Sequence, residues 1–253
     1  VRALVASAER YTEQGQSAKT ILRRSDLADG IVEFEIYAPL IARSARAGQF
    51  VRVLGWEKGE FIPLTLADWD ANKGTIVLVV QTLGSSSGYI NRMQQGESIA
   101  GIAGPLGLPS ELHRDENGET VVFTAGGVGL PPVYPIMREH LRLGNHVTLI
   151  AGFRSSDVMF WTDPGERVED LRAEYGDQLD VIYATNDGSY GTCNPDCTVA
   201  AFCGDGVQNG PETCDLGTAS NTGGTDKRDF FKKPRLNCFS GNLNYLLKIV
   251  FMV

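Results

Sequence analysis

The chain has 253 residues, enough for two modest domains with cores of their own. A hydrophobic share of 42% beside 21% charged residues describes a globular sequence and excludes an intrinsically disordered one. The formal charge of −8 argues against nucleic acid and anionic membrane surfaces as partners, and no apolar run is long enough to span a bilayer. In residues 1–17, Leu4, Val5, Ala8 and Tyr11 fall at helical spacing and predict a short amphipathic helix rather than a signal peptide. From residue 18 onward the chain reads as short strands. In residues 31–37, Val32, Phe34 and Ile36 share one face and Glu33 and Glu35 the other, the period-two pattern of a half-buried strand. Further strands are expected at 20–24, 50–54, 61–66, 75–81 and 98–103, with one helix at 86–93. Turn signals at Gly30, Gly48, Gly59 and Gly74 separate several of them. Six strands at this spacing predict a six-stranded antiparallel β-barrel over residues 18–112.

After Gly118 the rhythm changes. Residues 120–125 read as a buried strand that runs into the glycines of 126–129 and a helix over 131–142, with an apolar stripe of Val133, Ile136, Met137 and Leu141. Pro131 and Pro132 suit a helix start, where backbone N–H groups have no partner. A strand at 146–153, a helix at 166–175 stopped by Gly176 and a strand at 179–185 complete a parallel-sheet α/β unit over residues 118–191. Beyond Gly191 the periodicity collapses into an irregular, Cys-rich tail over 192–253. All five cysteines lie at or beyond Cys193.

Four motifs carry chemistry. Phe61 to Asp68 puts Pro63 and Leu64 beside the Thr65 hydroxyl, which suits the wall of a flavin ring with a hydrogen-bond partner near its hydride-accepting nitrogen; an ordinary strand end is the alternative. Gly84, Ser85, Ser86 and Ser87 open a helix, where free amides and the positive dipole end suit a pyrophosphate; a flexible Ser/Gly turn is the alternative. Gly126, Gly127 and Gly129 between a strand and a helix let dinucleotide phosphates approach the backbone, although the spacing is not G-x-G-x-x-G. Arg154 follows the next strand, where a guanidinium suits a ribose 2′-phosphate or else simply faces solvent. Asp187 follows the third strand, either at a nicotinamide loop or as a turn former. The three histidines, His113, His140 and His146, read as surface side chains.

In this order, Pro63-Leu64-Thr65, the loop at 84–88, Gly104 to Gly107 and Ala125 to Gly129 resemble the ferredoxin–NADP reductase superfamily. Within it the likeness is to electron-transfer subunits of the sulfide dehydrogenase, NADH-dependent ferredoxin–NADP oxidoreductase and dihydroorotate dehydrogenase types, over residues 18–190. The resemblance implies a cytoplasmic NAD(P)H-dependent flavin oxidoreductase. FAD would lie on the barrel, with Pro63, Leu64 and Thr65 at the flavin and Gly84 to Ser87 at its pyrophosphate. NAD(P)H would lie across Gly126 to Gly129. Electrons would pass to a redox partner subunit or a ferredoxin-like iron–sulfur carrier.

The sequence departs from this pattern in three places. Relatives carry an arginine shortly before Pro-Leu-Thr for the flavin phosphate, where this chain has Phe61 or Glu60. They continue past the position of Gly191 into a helix and two more strands, so a truncated nucleotide-binding domain with its first strand at an edge is expected here. Those of the sulfide dehydrogenase type carry cysteines for a [2Fe–2S] centre. The spacing of Cys193, Cys197, Cys203 and Cys214 fits neither a plant-type ferredoxin nor a zinc ribbon, and no metal is assigned. Residues 191–217 instead resemble one unit of the cysteine-rich repeats of extracellular myxobacterial proteins, which implies disulfides and an oxidising compartment. A hybrid chain joined within 186–192 is therefore expected. The competing readings are a secreted cysteine-rich binding protein and an inactive truncated chain.

Overall fold

The computed structural model describes residues 18–114, 118 and 120–185. The N-terminal helix expected at 1–17, Asp187 and the cysteine-rich tail lie outside the described residues.

The first unit is antiparallel. Strands β1 (Ile21–Ala28), β2 (Ile31–Tyr37), β6 (Thr75–Gln81) and β5 (Asp68–Asp70) form one sheet in the order β1-β2-β6-β5. Strands β4 (Phe61–Thr65), β3 (Phe50–Leu54) and β7 (Gly101–Leu106) form a second, in the order β4-β3-β7. The closed six-stranded barrel is thus corrected to two antiparallel sheets. The chain changes sheets at a buried corner after β4: the Leu66 amide donates to Gln49 O, beside β3, and the Ala67 amide donates to Val77 O, on β6. The Thr20–Ser98 bridge lies outside the named strands and ties the other ends together. Between the sheets Val32, Phe34, Ile36, Val51, Val53 and Leu78 share one core. Two short helices flank it, α1 (Pro39–Ser44) and α2 (Ser85–Asn91).

The second unit is parallel. Strands β8 (Thr120–Gly126), β9 (His146–Phe153) and β10 (Leu179–Thr185) run in the order β10-β9-β8. Val147, Leu149, Ala151 and Phe153 alternate along the central strand onto a core shared with helices α3 (Leu130–Arg142) and α4 (Arg167–Tyr175). Among the described residues β8 pairs with β9 alone, the edge position expected for it.

The two units share more than a linker. Ile31, Ala47, Ala67 and Val77 of the first join the core of the second, packing with residues such as Tyr134 and Trp161. This contact changes the fate of β2. Its period-two alternation holds, but the face carrying Glu33 meets the α/β unit, and Glu33 is only 3% exposed.

Candidate functional site

The β4-β3-β7 sheet has a covered face and an open one. Val51 and Val53 are fully buried, and Ile62 and Leu64 pack onto the same core. Period-two alternation then turns Phe61, Pro63 and Thr65 of β4 outward, opposite Leu54, Arg52 and Phe50 of β3. Pro63 and Arg52 are exposed, Thr65 is half-buried and Phe61 is 40% exposed. The Arg52 guanidinium lies over the Phe61 ring, 5.1 Å from its centroid. Of the three predicted flavin contacts, Pro63 and Thr65 therefore share the open face. Leu64 turns its side chain inward and offers that face only its backbone.

Helix α2 packs beside β4. Ser87 Oγ accepts from the amides of Leu83 at 2.9 Å and Gly84 at 3.0 Å, so those two donors are already used. The amides of Ser85 and Ser86 open the helix and have no partner within its first turn. The Ser86 side chain is buried and Ser85 is exposed. Gly84 itself is extended, and a Cβ placed there would meet nothing within 4 Å. Neither backbone strain nor protein packing requires glycine at this position, so a side chain there would obstruct only what approaches from outside.

The glycine turn sits at the carboxyl rim of the parallel sheet. Gly126 pairs with Gly152, which in turn pairs with Ala184, and Arg154 lies exposed just beyond β9 on the same rim. This is where open α/β sheets receive ligands. Gly127 adopts φ +48, a left-handed conformation that favours glycine. A Cβ on Gly126 or Gly127 would point into open space. The Leu130 amide donates back to Gly127 O, and Pro131 and Pro132 carry no N–H. Donors for a phosphate at this rim thus come from the turn Gly127–Gly129 rather than from the first turn of α3.

Between the units lies a charged seam that the sequence did not signal. Arg167 on α4 donates from Nε to Glu33 Oε2 at 2.9 Å and from Nη2 to Glu33 Oε1 at 3.2 Å. Its Nη1 donates to Asp68 Oδ2 at 2.6 Å. Arg138 on α3 donates to Asp68 Oδ1 at 2.5 Å, Arg23 to Glu33 Oε1 at 2.5 Å, and Trp161 Nε1 to Glu33 Oε2 at 3.1 Å. Burial pushes the Glu33 carboxyl up, but Arg167 and Arg23 outweigh it and hold the group below its ordinary range. Burial likewise lowers the Arg167 guanidinium, and Glu33 and Asp68 reverse the sign to a net rise. A groove of about 520 Å³ opens beside the seam, lined by Glu35, Asp70, Lys73 and Arg142 among others. Its walls are charged, and it lies at the junction of the units rather than on the open face of β4.

His140 corrects the surface reading of the histidines. It is buried, with Nδ1 2.9 Å from Asn145 Nδ2 and its ring against Phe123. His113 and His146 are exposed. Among the described residues no His, Cys, Asp and Glu group is arranged to hold a metal ion, and no helix is long and apolar enough to cross a membrane.

No protein-family model matches the chain. Over 174 residues it is 37% identical to an uncharacterized protein in the adh 3′ region of Clostridium beijerinckii, covering 67% of this chain and 56% of that one. Over 177 residues it is 34% identical to the Thermotoga maritima homolog of the dihydroorotate dehydrogenase B (NAD(+)) electron transfer subunit, covering 70% of this chain and 58% of that one. Among solved structures, the NADH-dependent reduced ferredoxin–NADP oxidoreductase, studied for flavin-based electron bifurcation, aligns with a TM-score of 0.61 and 32% identity, over 70% of this chain and 59% of that one. The chain thus spans a little over half the length of these relatives. Ferredoxin–NADP+ reductase from Plasmodium falciparum shares the fold at a TM-score of 0.52 and 15% identity, over 71% of this chain and 74% of that one.

Proposed function

The chain belongs to the ferredoxin–NADP reductase-like electron-transfer subunits, and from that premise we propose that it carries electrons from NAD(P)H through FAD to a redox partner subunit or a ferredoxin-like carrier. Residues 18–112 hold the FAD and residues 118–191 the nicotinamide dinucleotide, with 1–17 as an extension and 192–253 as a tail outside both. FAD supplies the step from a two-electron hydride donor to single-electron delivery. The chain's own residues bind and orient. Pro63 gives the flavin a flat apolar wall, and the Thr65 hydroxyl offers a hydrogen bond beside the reacting edge. The Ser85 and Ser86 amides face the pyrophosphate, with Gly84 leaving the approach clear. The turn Gly127–Gly129 takes the phosphates of the nicotinamide dinucleotide, with Arg154 at the adenosine end and Asp187 on the nicotinamide side. No acid–base residue is needed for such a transfer, which depends on positioning. A [2Fe–2S] centre belongs to relatives and partners rather than to these cysteines, and the working compartment is the cytoplasm.

The observation that supports the reading best is the open β4 face, where Pro63 and Thr65 stand outward on a strand that α2 packs beside. The purified full chain is expected to be yellow, with flavin absorbance that bleaches when NADH or NADPH is added anaerobically. Protein that is folded yet colourless after reconstitution with excess FAD overturns the proposal.

A further inference from the structure

We infer that Arg52 is the phosphate-binding cation of the flavin site, and so makes this face selective for a phosphorylated flavin over riboflavin. The inference rests on the flavin reading above and adds a residue to it. Arg52 is the polar residue between Val51 and Val53, both fully buried, so alternation along β3 drives it onto the open face. There it stands directly opposite Pro63 in the ladder. Its guanidinium lies over the Phe61 ring at 5.1 Å, an arrangement that fixes the planar fork while leaving its donors free. Among the described residues no carboxylate pairs with it, whereas Arg167 and Arg138 are both tied to Asp68. A guanidinium without a carboxylate partner, on a face that also carries Phe50, Leu54, Phe61, Pro63 and Thr65, supplies what a flavin wall lacks: a positive charge for the phosphates on the ring's tail.

Gly55, just past β3, lies so close to the last turn of α2 that a Cβ there would lie 2.9 Å from Ile90 and 3.0 Å from Tyr89. Arg52 precedes Gly55 by three residues, about 10 Å, and so stands between Thr65 at one end of the face and the last turn of α2 at the other. Phe61, two residues before Pro63 and on the same face, is apolar, and Arg52 delivers its charge to the space above that side chain from the neighbouring strand.

Titration of the full chain with FAD and with riboflavin, read by flavin fluorescence at two salt concentrations, tests this. Arg52→Met keeps the stem over Phe61 and removes the charge. It is expected to weaken FAD binding about tenfold or more while leaving riboflavin binding as in the wild type, and to flatten the salt dependence of FAD affinity. Arg52→Lys keeps a point charge and should fall between. Phe61→Arg added to Arg52→Met should restore FAD affinity. If the wild type binds FAD and Arg52→Met binds it equally tightly, with the same salt dependence, the role of Arg52 is refuted while the flavin reading stands. An equal loss of FAD and riboflavin affinity would make Arg52 a packing residue and also refute it. If the wild type binds neither flavin, both readings fall together.

Discussion

Glu33 sits on a strand that alternates as an exposed-face residue should, yet it is closed off by Arg167 and Trp161 from the other unit. Removing its charge leaves Arg167 buried with one carboxylate fewer. Glu33→Gln is therefore expected to cost about 3 kcal/mol in urea denaturation. The pH dependence follows from the direction of the shift. A carboxyl whose folded pKa lies below its ordinary 4.5 contributes stability that is fully present above 4.5 and is lost as pH falls through the folded value. The acid limb of the stability profile should accordingly be shallower in Glu33→Gln than in the wild type, and equal limbs would remove Glu33 from the account. His140 shows a signal that sequence did contain: it falls three and four residues after Met137 and Ile136, on the buried stripe of α3. Arg52 was legible in the same way, as the outward residue of an alternating strand. The Arg167–Glu33 pair was not, because nothing local links residues 134 apart.

Elements long enough to show a period were readable. The bounds expected for β2, β3, β6, β9 and β10 are those observed, and α3 begins one residue before its expected start. Two elements went unseen, α1 with six residues and β5 with three, because neither is long enough for periodicity to register. The last strand of the first unit lies at Gly101–Leu106 rather than 98–103, since Ser98 pairs instead with Thr20 beyond the ladder. The two glycine sites differ in what they ask of the backbone, and substitutions should separate them. Gly84→Val meets open space in an extended conformation, so thermal stability should hold while FAD affinity drops. Gly127→Val must take φ +48 and should cost about 1–3 kcal/mol together with nicotinamide dinucleotide binding, read by calorimetry. A stable Gly84→Val that binds FAD normally would move the pyrophosphate away from α2.

At the scale of the molecule, the seam and the shared core make the two units one cooperative body. Ile31, Ala47, Ala67 and Val77 lose apolar neighbours if residues 18–112 stand alone. The full chain should melt in a single transition with equal calorimetric and van't Hoff enthalpies, and a fragment of residues 18–112 should melt lower. Two resolved transitions would show the units to be independent. The seam also orders events in time. The strands of the α/β unit are neighbours in sequence as well as in space, whereas Arg167 reaches Glu33 only across 134 residues. Contacts that distant are expected to close late, after each unit has formed its own sheet. Glu33→Gln should then leave the refolding rate near that of the wild type and speed unfolding, so that the buried carboxylate sets how long the native molecule lasts rather than how quickly it is reached.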